Sequence, residues 1–510
     1  MQISMRHLPA ASHLFLDYLE DWPRVQRFYP HSYALESITA FARTIQKPEP
    51  EDRERLCSVL AEQQRSWGGG QRGVEKLAAG AVAVVTGQQP VLFTGPHLSI
   101  LKAVSAVKLA RKLELEGVNA VPVYWVAAED HDHKEIEAAW VLDRESRPSS
   151  VSVDLSGETP TPAGWMQFRD DIRSAIETCL ACLPQSEFAA DIRGILEDSY
   201  KPGLSPVEAF ARMMARLFKG SELTFVNPLH PELKRLARPT MDLVVRKNAE
   251  VRAAVSARSR AISDAGYHEQ VKVDENFTGL FAYRGRSRHV LRPHDLAPDL
   301  SLSPNVLLRP VVQDAIFPTA VYIAGPSEIA YFAQAAPIYE TLGRTMPPIF
   351  PRISATIVEP RIGRALEKYE IGVAEVWAGR ESLKRKAVEG MDDGRLFDRL
   401  RARIEEELES LKPSLHAIDP TLVGAMETSR HKMLHQVETL HARYVNAAAK
   451  RHETMERHLD AVSNSLYPEK KPQERVVNIT SFLVRYGAGV IERLQEKLTL
   501  EIREHQVIDI

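Results

Sequence analysis

The stretch AVAVVTGQQPVLFTGPHLSILKAVSAVKLARKLELEGVNAVPVYWVA, residues 81–127, decides the fold of this chain. It begins with a short, mostly apolar run rich in β-branched side chains, which predicts a buried strand. A loop with two glycines and two prolines follows, and residues 98–117 then carry apolar side chains at helical spacing. Residues 118–127 are again almost continuously apolar, a pattern typical of a strand inside a parallel sheet.

A strand, a helix and a second strand in this order form a βαβ unit, which places both strands parallel in one sheet through a right-handed crossover. Further strands are predicted at 223–227, 319–324 and 347–358, and the first two precede helical patterns. We therefore expect an α/β fold whose core is a Rossmann-like, mainly parallel sheet assembled from distant parts of the chain. Residues 81–86 and 121–126 should lie side by side in it.

Two long stretches interrupt this pattern, at about 145–220 and 240–305, and we interpret both as insertions into the core. The second contains LFAYRGRSRHVLRP, which predicts a β-hairpin with Arg284 and Gly285 at its turn. The first contains Cys179 and Cys182 at the spacing of a redox or zinc motif. The residues around them predict an amphipathic helix, which favours a buried structural role for both cysteines.

The composition excludes several classes of protein. A net charge of −3 over 510 residues gives no electrostatic reason to bind nucleic acid or an acidic membrane surface. No apolar run approaches the ~20 residues needed to span a bilayer. Acidic residues follow closely on the short apolar patch near the N-terminus, which argues against a signal peptide. Three cysteines cannot form a disulfide framework, so we expect a cytoplasmic protein.

The composition changes near residue 376 to long charged stretches with apolar stripes. One stripe has leucine or isoleucine at steps of three or four, and a second has apolar residues seven apart with two more between them: Leu396, Leu400, Ile404, Leu408, Leu411 and Leu415, then Met426, Met433, Leu440 and Ala447 with Val437 and Tyr444. Two such helices, separated by a short break at Pro420, predict an antiparallel coiled-coil hairpin.

These stripes are broader than one partner helix can cover, so we expect the hairpin to form a two-fold symmetric homodimer. The expected organisation is a core at 1–375, the coiled-coil hairpin at 376–465, and a C-terminal segment at 466–510 that returns to the core.

Ligands of open α/β sheets bind at the carboxyl ends of the strands, so the loops that follow the strands form the candidate site. In the loop at 87–97, glycine lets the backbone approach a ligand, and the N-terminus of the next helix favours anions. Its candidate substrate-binding residues are Gln88, Gln89, Thr94 and Gly95. The loop has neither the GxGxxG dinucleotide pattern nor the GK[ST] ending of a P-loop.

A dense run of titratable residues, AAEDHDHKEIE, follows the second strand. Such groups are costly to desolvate after an apolar strand, and they indicate acid–base catalysis, amine binding or metal binding. Asp130, His131 and Asp132 are the candidate catalytic residues, with His131 as the base that an aspartate orients, and Glu129 is a candidate substrate ligand. Alternatively, an aspartate holds a substrate ammonium and His131 is structural. No zinc pattern with helical spacing supports a metal site, and a solvated helix N-terminus is the remaining interpretation.

The third candidate loop, IAGPSEIAYFAQ, leaves the strand at 319–324. Gly325, Ser327 and Glu328 stand at a helix N-terminus, where backbone N–H groups bind carboxylates or phosphates. A helix cap explains Ser327 equally well. Arg309, upstream of the strand, supplies a guanidinium that can clamp a carboxylate.

The segment LYPEKKPQERVVN, near the return of the chain to the core, predicts a second, nucleotide-sized pocket. Tyr467 is suited to stack on a base, and Lys470, Lys471 and Arg475 are suited to meet phosphates, which makes ATP or ADP a candidate cofactor. A proline-rich joint with solvated charges is the alternative.

Four segments together resemble the cysteine ligase family of bacillithiol biosynthesis. They are TGQQPVLFTGPHLSILKAVSAVKLA, VPVYWVAAEDHDHKEI, NVLLRPVVQDAIFPTAVYIAGPSEIAYFAQAAPIYE and LYPEKKPQERVVNITSFLVRYG. The resemblance implies a Rossmann core like that of nucleotidyl transferases and class I aminoacyl-tRNA synthetases, with connecting insertions and a dimerising coiled coil. It also implies an enzyme that joins cysteine to the amine of glucosaminyl malate through an amide bond.

Other functions stay open from the residues alone. A nucleotidyl or acyl transferase with a different small substrate would need the same fold. A non-catalytic scaffold built around the coiled coil is a third hypothesis, but a scaffold has no need of the titratable run after the second strand.

Overall fold

The computed structural model describes residues 2–9, 11–157, 159–297, 299–389, 395–450 and 453–510. Its strands are β1 (Gln2–Ser4), β2 (Val82–Gln88), β3 (Ala120–Val126), β4 (Ala138–Leu142), β5 (Pro148–Ser152), β6 (Thr224–Val226), β7 (Leu280–Arg284), β8 (Ser287–Val290), β9 (Leu302–Pro304), β10 (Thr319–Ala324), β11 (Ile349–Pro351), β12 (Ala355–Val358) and β13 (Glu504–Asp509).

The α-helices precede, separate and follow these strands. They are α1 (His13–Glu20), α2 (Trp22–Val25), α3 (Leu35–Thr44), α4 (Pro50–Trp67), α5 (Arg72–Ala78), α6 (Leu98–Leu115), α7 (His133–Ile136), α8 (Asp171–Cys182), α9 (Ala189–Ser199), α10 (Pro206–Leu217), α11 (Pro231–Arg246), α12 (Asn248–Asp264), α13 (Arg309–Ile316), α14 (Pro326–Thr341), α15 (Pro360–Lys368), α16 (Val373–Val376), α17 (Arg380–Glu389), α18 (Arg395–Ile418), α19 (Thr421–Lys450), α20 (Glu453–Leu466), α21 (Thr480–Tyr486) and α22 (Val490–Lys497).

The core is a five-stranded parallel sheet in the order β11-β10-β2-β3-β6. β2 pairs with β3 along its whole length, which confirms the predicted βαβ unit with α6 as its crossover helix. Successive residues of β3 enter different hydrophobic cores, Val123 and Trp125 on one side and Tyr124 and Val126 on the other. Both faces of the sheet are therefore covered, which explains the unbroken apolar sequence of β3.

The order in which the chain adds strands to the sheet reverses at β2. The crossover through α6 carries the chain to β3 on one side, whereas β10 lies against the other side of β2. Loops that follow neighbouring strands diverge at such a point, and a crevice opens beyond the carboxyl ends of the strands. The fold therefore places the loops after β2, β3 and β10 around one crevice.

The segment predicted as one strand at 347–358 divides between two sheets. β11 belongs to the core sheet, whereas β12 pairs with β13 in a separate three-stranded sheet of order β1-β13-β12. Two residues that are distant in sequence, Ser105 and Glu474, hold the turn at residues 352–353 between the two strands. The backbone N–H of Ile353 donates to Ser105 Oγ over 2.9 Å, and the Arg352 guanidinium pairs with the buried Glu474.

The predicted hairpin at 280–290 is present as β7 and β8, but its turn lies one residue later than expected. Arg284 still pairs with Ser287, so Gly285 and Arg286 form the two-residue turn. Gly285 has a φ of +60°, which suits the first position of a tight hairpin turn.

The helix predicted around the two cysteines is α8. Cys179 is buried and Cys182 is half-buried. Burial raises the pKa of the Cys179 thiol to about 12, which disfavours the reactive thiolate.

α18 and α19 form the helical hairpin. Lys412 pairs with Glu427 and Phe397 stacks on His441, so early residues of one helix meet late residues of the other and the two run antiparallel. One turn of the α19 stripe faces inward at Val437, whereas Met433 and Leu440 are 46% and 56% exposed. The chain then returns through α20, whose apolar side chains join the core. In the ranges given above, no helix combines the length and the apolar character needed to cross a membrane.

Candidate active site

A cleft of about 660 Å³ occupies the crevice at the carboxyl ends of the core strands. The loops after β2, β3, β10 and β11, the helix α13 and the segment before α21 all contribute to its wall. Its charged and polar side chains are Gln88, Gln89, Lys102, Trp125, Asp130, Lys134, Glu135, Trp140, Arg309, Gln313, Tyr322, Ser327, Glu328, Tyr331, Arg352, Lys471 and Arg475. Six of these side chains are cationic and three are acidic, so the cleft favours anionic ligands.

A buried ion pair joins the first and third predicted loops. Lys102 Nζ lies 2.6 Å from Glu328 Oε2, and it also donates to the Gly87 carbonyl at 2.6 Å and to Gln88 Oε1 at 3.0 Å. Glu328 Oε2 accepts the backbone N–H of Gly325, so the same carboxylate caps α14. Glu328 therefore both caps the helix and lines the cleft. Burial lowers the pKa of Lys102, and the Glu328 carboxylate opposes that shift.

Asp130 is held between two arginines at the end of β3. Its carboxylate oxygens lie 3.1 Å from Arg309 Nη1 and 3.3 Å from Arg288 Nη1. The Arg288 side chain is almost fully buried. It also donates to Ser303 Oγ and to the Pro304 carbonyl, which satisfy its remaining N–H groups in part. Asp130 and Arg309 line the cleft. Asp130, Arg288 and Arg309 together carry one net positive charge. The pairing with Asp130 also holds the Arg309 guanidinium in one position, where it can bind a carboxylate.

The other three candidates of the titratable run lie outside the cleft lining. His131 Nδ1 is 3.5 Å from Arg288 Nη1, and burial followed by this guanidinium lowers the pKa of His131. Asp132 is exposed. Glu129 is buried against a smaller cavity, where its carboxylate pairs with Lys234 and accepts the Tyr283 hydroxyl at 2.8 Å. Glu129 therefore ties β3 to the hairpin and to α11.

Glu135, from the same run, does line the cleft. Gln89 Nε2 donates to Glu135 Oε2 over 2.8 Å, which bridges the loops after β2 and β3. Partial burial raises the pKa of Glu135, and the neighbouring carboxylates of Asp132 and Asp130 raise it further. A carboxylate whose pKa is raised in this way is a stronger base than an ordinary glutamate, which favours transfer of a proton to it.

Arg352, at the turn after β11, lines the cleft. Its Nη2 lies 2.5 Å from Glu474 Oε1, and its Nη1 donates to the Ile353 carbonyl. Glu474 is fully buried and also accepts the Ser354 hydroxyl and the backbone N–H of Ala355. Burial alone would raise the pKa of Glu474, but Arg352 and these hydrogen bonds lower it to about 2. Arg352 is therefore a cation of fixed position.

Thr94 and Gly95, the last two candidates of the first loop, do not line the cleft. They belong to a turn in which Phe93, Thr94 and Gly95 all have positive φ. Asn478 Nδ2 donates to the Phe93 carbonyl at 2.8 Å and to the Gly95 carbonyl at 2.7 Å. A Cβ on Gly95 would lie 2.7 Å from Val91 Cβ, so this position excludes a side chain. The C-terminal part of the chain thus sets the shape of this loop.

His97, directly before α6, also has a structural role, because it lies in the protein interior. It is fully buried, its Nδ1 lies 3.0 Å from the Val477 carbonyl, and its ring packs edge-on against Phe482. Burial lowers the pKa of His97, so the ring is neutral at pH 7.

The residues predicted for a separate nucleotide pocket divide between two places. Lys471 and Arg475 line the same cleft as Asp130 and Glu328, and Arg352 lines it as well. Tyr467 instead packs, half-buried, against the main hydrophobic core. In the described part of the chain, Lys471, Arg475 and Lys134 make no ion pair, so their charges are available to a ligand. Across the same residues, no group of three or more His, Cys, Asp or Glu side chains is arranged to hold a metal ion.

Several cleft residues were missed by sequence reasoning. Arg352 directly follows a core strand, so the rule that ligands bind at carboxyl ends would have indicated it. Glu135 lies within the titratable run but two residues beyond its densest part, residues 129–133. Gln313 and Tyr331 lie inside helices, where no sequence pattern distinguishes them from other buried polar or aromatic residues.

Comparison with known proteins agrees with this architecture. The family description "Bacillithiol biosynthesis BshC, N-terminal Rossmann-like domain" matches residues 1–298 and 295–353. The description "Bacillithiol biosynthesis BshC, C-terminal coiled-coil domain" matches residues 355–510.

Similar proteins match over nearly the whole chain. A protein of Koribacter versatilis is 34% identical, with 99% of each chain covered. A protein of Salinibacter ruber is 33% identical over 99% of this chain and 97% of its own length. A protein of Solibacter usitatus is 33% identical over 98% of both. All three carry the name "Putative cysteine ligase BshC". With its Rossmann-like core and C-terminal coiled coil, this chain belongs to the BshC family.

Proposed function

We propose that this chain is a cysteine ligase that joins the carboxyl group of cysteine to the amine of glucosaminyl malate, forming the amide bond of bacillithiol. The names of its relatives support the reaction class. The observation that carries the proposal is the arrangement of the cleft, in which fixed cations and a carboxylate of raised pKa line the same space.

The cations suit the acidic part of the substrate. The malate group carries two carboxylates, and guanidinium groups bind carboxylates through paired hydrogen bonds. Arg309 and Arg352 are each held by a protein carboxylate, so a ligand meets them in one geometry and little side-chain entropy is lost on binding. We assign the malate carboxylates to these two arginines.

Glu135 suits the reacting amine. An amine bound as ammonium has to lose a proton before its nitrogen attacks a carbonyl carbon, and a carboxylate of raised pKa can both hold the ammonium and take that proton. Asp130, whose oxygens already bind two arginines, acts instead as the residue that positions Arg309. His131 supports Arg288 from outside the cleft.

Amide formation from a free carboxylate releases water and therefore requires an activated carboxyl group. Lys471 and Arg475, which have no protein partner in the described structure, are suited to bind the phosphates of a nucleoside triphosphate that supplies this activation. In this proposal the nucleotide shares the main cleft with the other substrates.

Reconstitution with purified protein tests the function. Glucosaminyl malate and L-cysteine are incubated with the enzyme, with and without ATP and Mg²⁺, and thiol products are labelled and identified by mass. Product of the mass of bacillithiol supports the ligase, and its dependence on ATP supports nucleotide activation. Absence of product under both conditions, with substrates recovered unchanged, contradicts the proposal.

A further inference from the structure

The Gln313 side chain carries a buried oxygen that has no hydrogen-bond partner among the described residues. It lies on α13, it is 1% exposed, and it lines the cleft. The unpartnered atom is Oε1, the acceptor of the side-chain amide. Gln334, which is equally buried outside the cleft, shows the usual arrangement. Its Oε1 accepts two backbone N–H groups, and its Nε2 donates to the Val271 carbonyl and to Ser259 Oγ.

An unsatisfied buried amide destabilises a folded protein by about 1–3 kcal/mol, so nearly all such groups have partners. Where one faces a ligand cleft, a bound ligand can supply the missing hydrogen bond. A site with such a group also discriminates strongly against ligands that lack the matching polar atom, because the amide then stays buried and unpaired in the complex.

The charges around Gln313 limit the kind of group that binds there. Arg309 precedes it by one helical turn, and the group of Arg309, Arg288 and Asp130 carries one net positive charge. A ligand ammonium beside this group would be repelled. A neutral hydroxyl is not repelled, and it can donate its hydrogen to Gln313 Oε1 while accepting one from a cation.

We propose that Gln313 is a specificity-determining residue that accepts a hydrogen bond from a hydroxyl group of the amino-sugar substrate. This inference rests on the proposed function, because that function supplies an amino sugar as the ligand of this cleft. It assigns the sugar ring to the wall formed by α13, next to the arginine that binds a malate carboxylate.

Gln313→Leu tests the assignment by two measurements with opposite expected signs. Isothermal titration with glucosaminyl malate should show about 10- to 100-fold weaker binding, because the hydroxyl loses its acceptor. Binding of L-cysteine should be unchanged. The ligand-free variant should be more stable to denaturant than the wild type, because an apolar side chain of similar shape removes an unsatisfied buried amide.

Two further variants complete the test. Gln334→Leu, the matched control, should lose stability and keep the affinity of the folded protein for glucosaminyl malate. Gln313→Glu keeps an acceptor oxygen at the same place, so it should bind more tightly than Gln313→Leu, and it remains informative if the leucine variant does not fold.

Wild-type affinity in Gln313→Leu overturns the inference and leaves the proposed function standing, provided that the wild type still forms product. Loss of stability in Gln313→Leu without loss of affinity also overturns it, since Gln313 would then have a structural role. If the wild type neither binds glucosaminyl malate nor forms product, the proposed function fails and the sugar assignment fails with it.

Discussion

Lys102 Nζ lies 2.6 Å from Glu328 Oε2, so the helix after β2 is joined to the helix after β10 at the point where the sheet order reverses. The lysine side chain is 4% exposed and the glutamate side chain 18%. Both residues line the cleft, so the ion pair holds two of its walls together.

Lys102→Met should destabilise the protein by about 3–5 kcal/mol, because it leaves the Glu328 carboxylate buried without its partner. The double variant Lys102→Met with Glu328→Gln should recover part of this loss, since it removes the unpaired charge. Denaturant unfolding of the single and double variants measures the coupling free energy. Additive effects of the two substitutions would contradict a direct interaction.

Glu135→Gln should reduce the rate of product formation by about 10²- to 10⁴-fold, which is the usual contribution of a general base. Its melting temperature should change little, because a glutamine keeps an acceptor for Gln89 and the Glu135 carboxylate takes part in no ion pair among the described residues. In the wild type, activity should fall on the acidic side as Glu135 becomes protonated. Because its pKa is raised above the ordinary glutamate value, that fall should occur at a higher pH than for an ordinary glutamate.

Two further variants, Asp132→Asn and His131→Asn, test whether the general base is Glu135 or, as the sequence alone predicted, His131. Both residues lie outside the cleft lining, so both variants should keep most of the activity that Glu135→Gln loses. Loss of activity in His131→Asn at unchanged melting temperature, with normal activity in Glu135→Gln, would restore His131 as the base.

Glu474→Gln should lower the free energy of unfolding at pH 7, by an amount approaching the 3–5 kcal/mol typical of a broken buried ion pair. The folded-state pKa of Glu474 is about 2, below its ordinary value of 4.5. Its contribution to stability is thus fully present above pH 4.5 and is lost as the pH falls toward 2. Unfolding curves of the variant and the wild type should therefore converge at acidic pH. A constant difference across that range would contradict the role of the charge.

We propose that the exposed stripe of α19 is the contact of a homodimer. Met433→Glu combined with Leu440→Glu should shift the protein to a monomer, because both side chains are about half exposed in one chain and a charge cannot be buried there without a partner. Light scattering at micromolar concentration measures the mass. His435→Glu, at an exposed position on the opposite side of the same helix, controls for the added charge. A wild-type monomer would contradict the proposal.

The local pattern of the sequence determined the main elements of the fold. The unbroken apolar run of β3 requires cover on both sheet faces, and the helix between two such runs requires a parallel crossover, so residues 81–127 alone predicted the central βαβ unit. Heptad-like stripes likewise predicted the hairpin of α18 and α19. Because parallel strands end at one edge, the loops carrying Gln88, Asp130 and Glu328 were predicted to converge, and all three line one cleft.

Only the tertiary structure decided which side chains face that cleft and in what electrostatic state. Asp130 meets Arg288, 158 residues later, and Arg352 meets Glu474, 122 residues later, so neither pairing has a local sequence signal. Asp130 is thereby a partner of two arginines. Glu129 instead pairs with Lys234, and His131 lies beside Arg288. Loop positions follow from strand periodicity, which is local, whereas burial and pairing of charges depend on long-range contacts that no sequence period records.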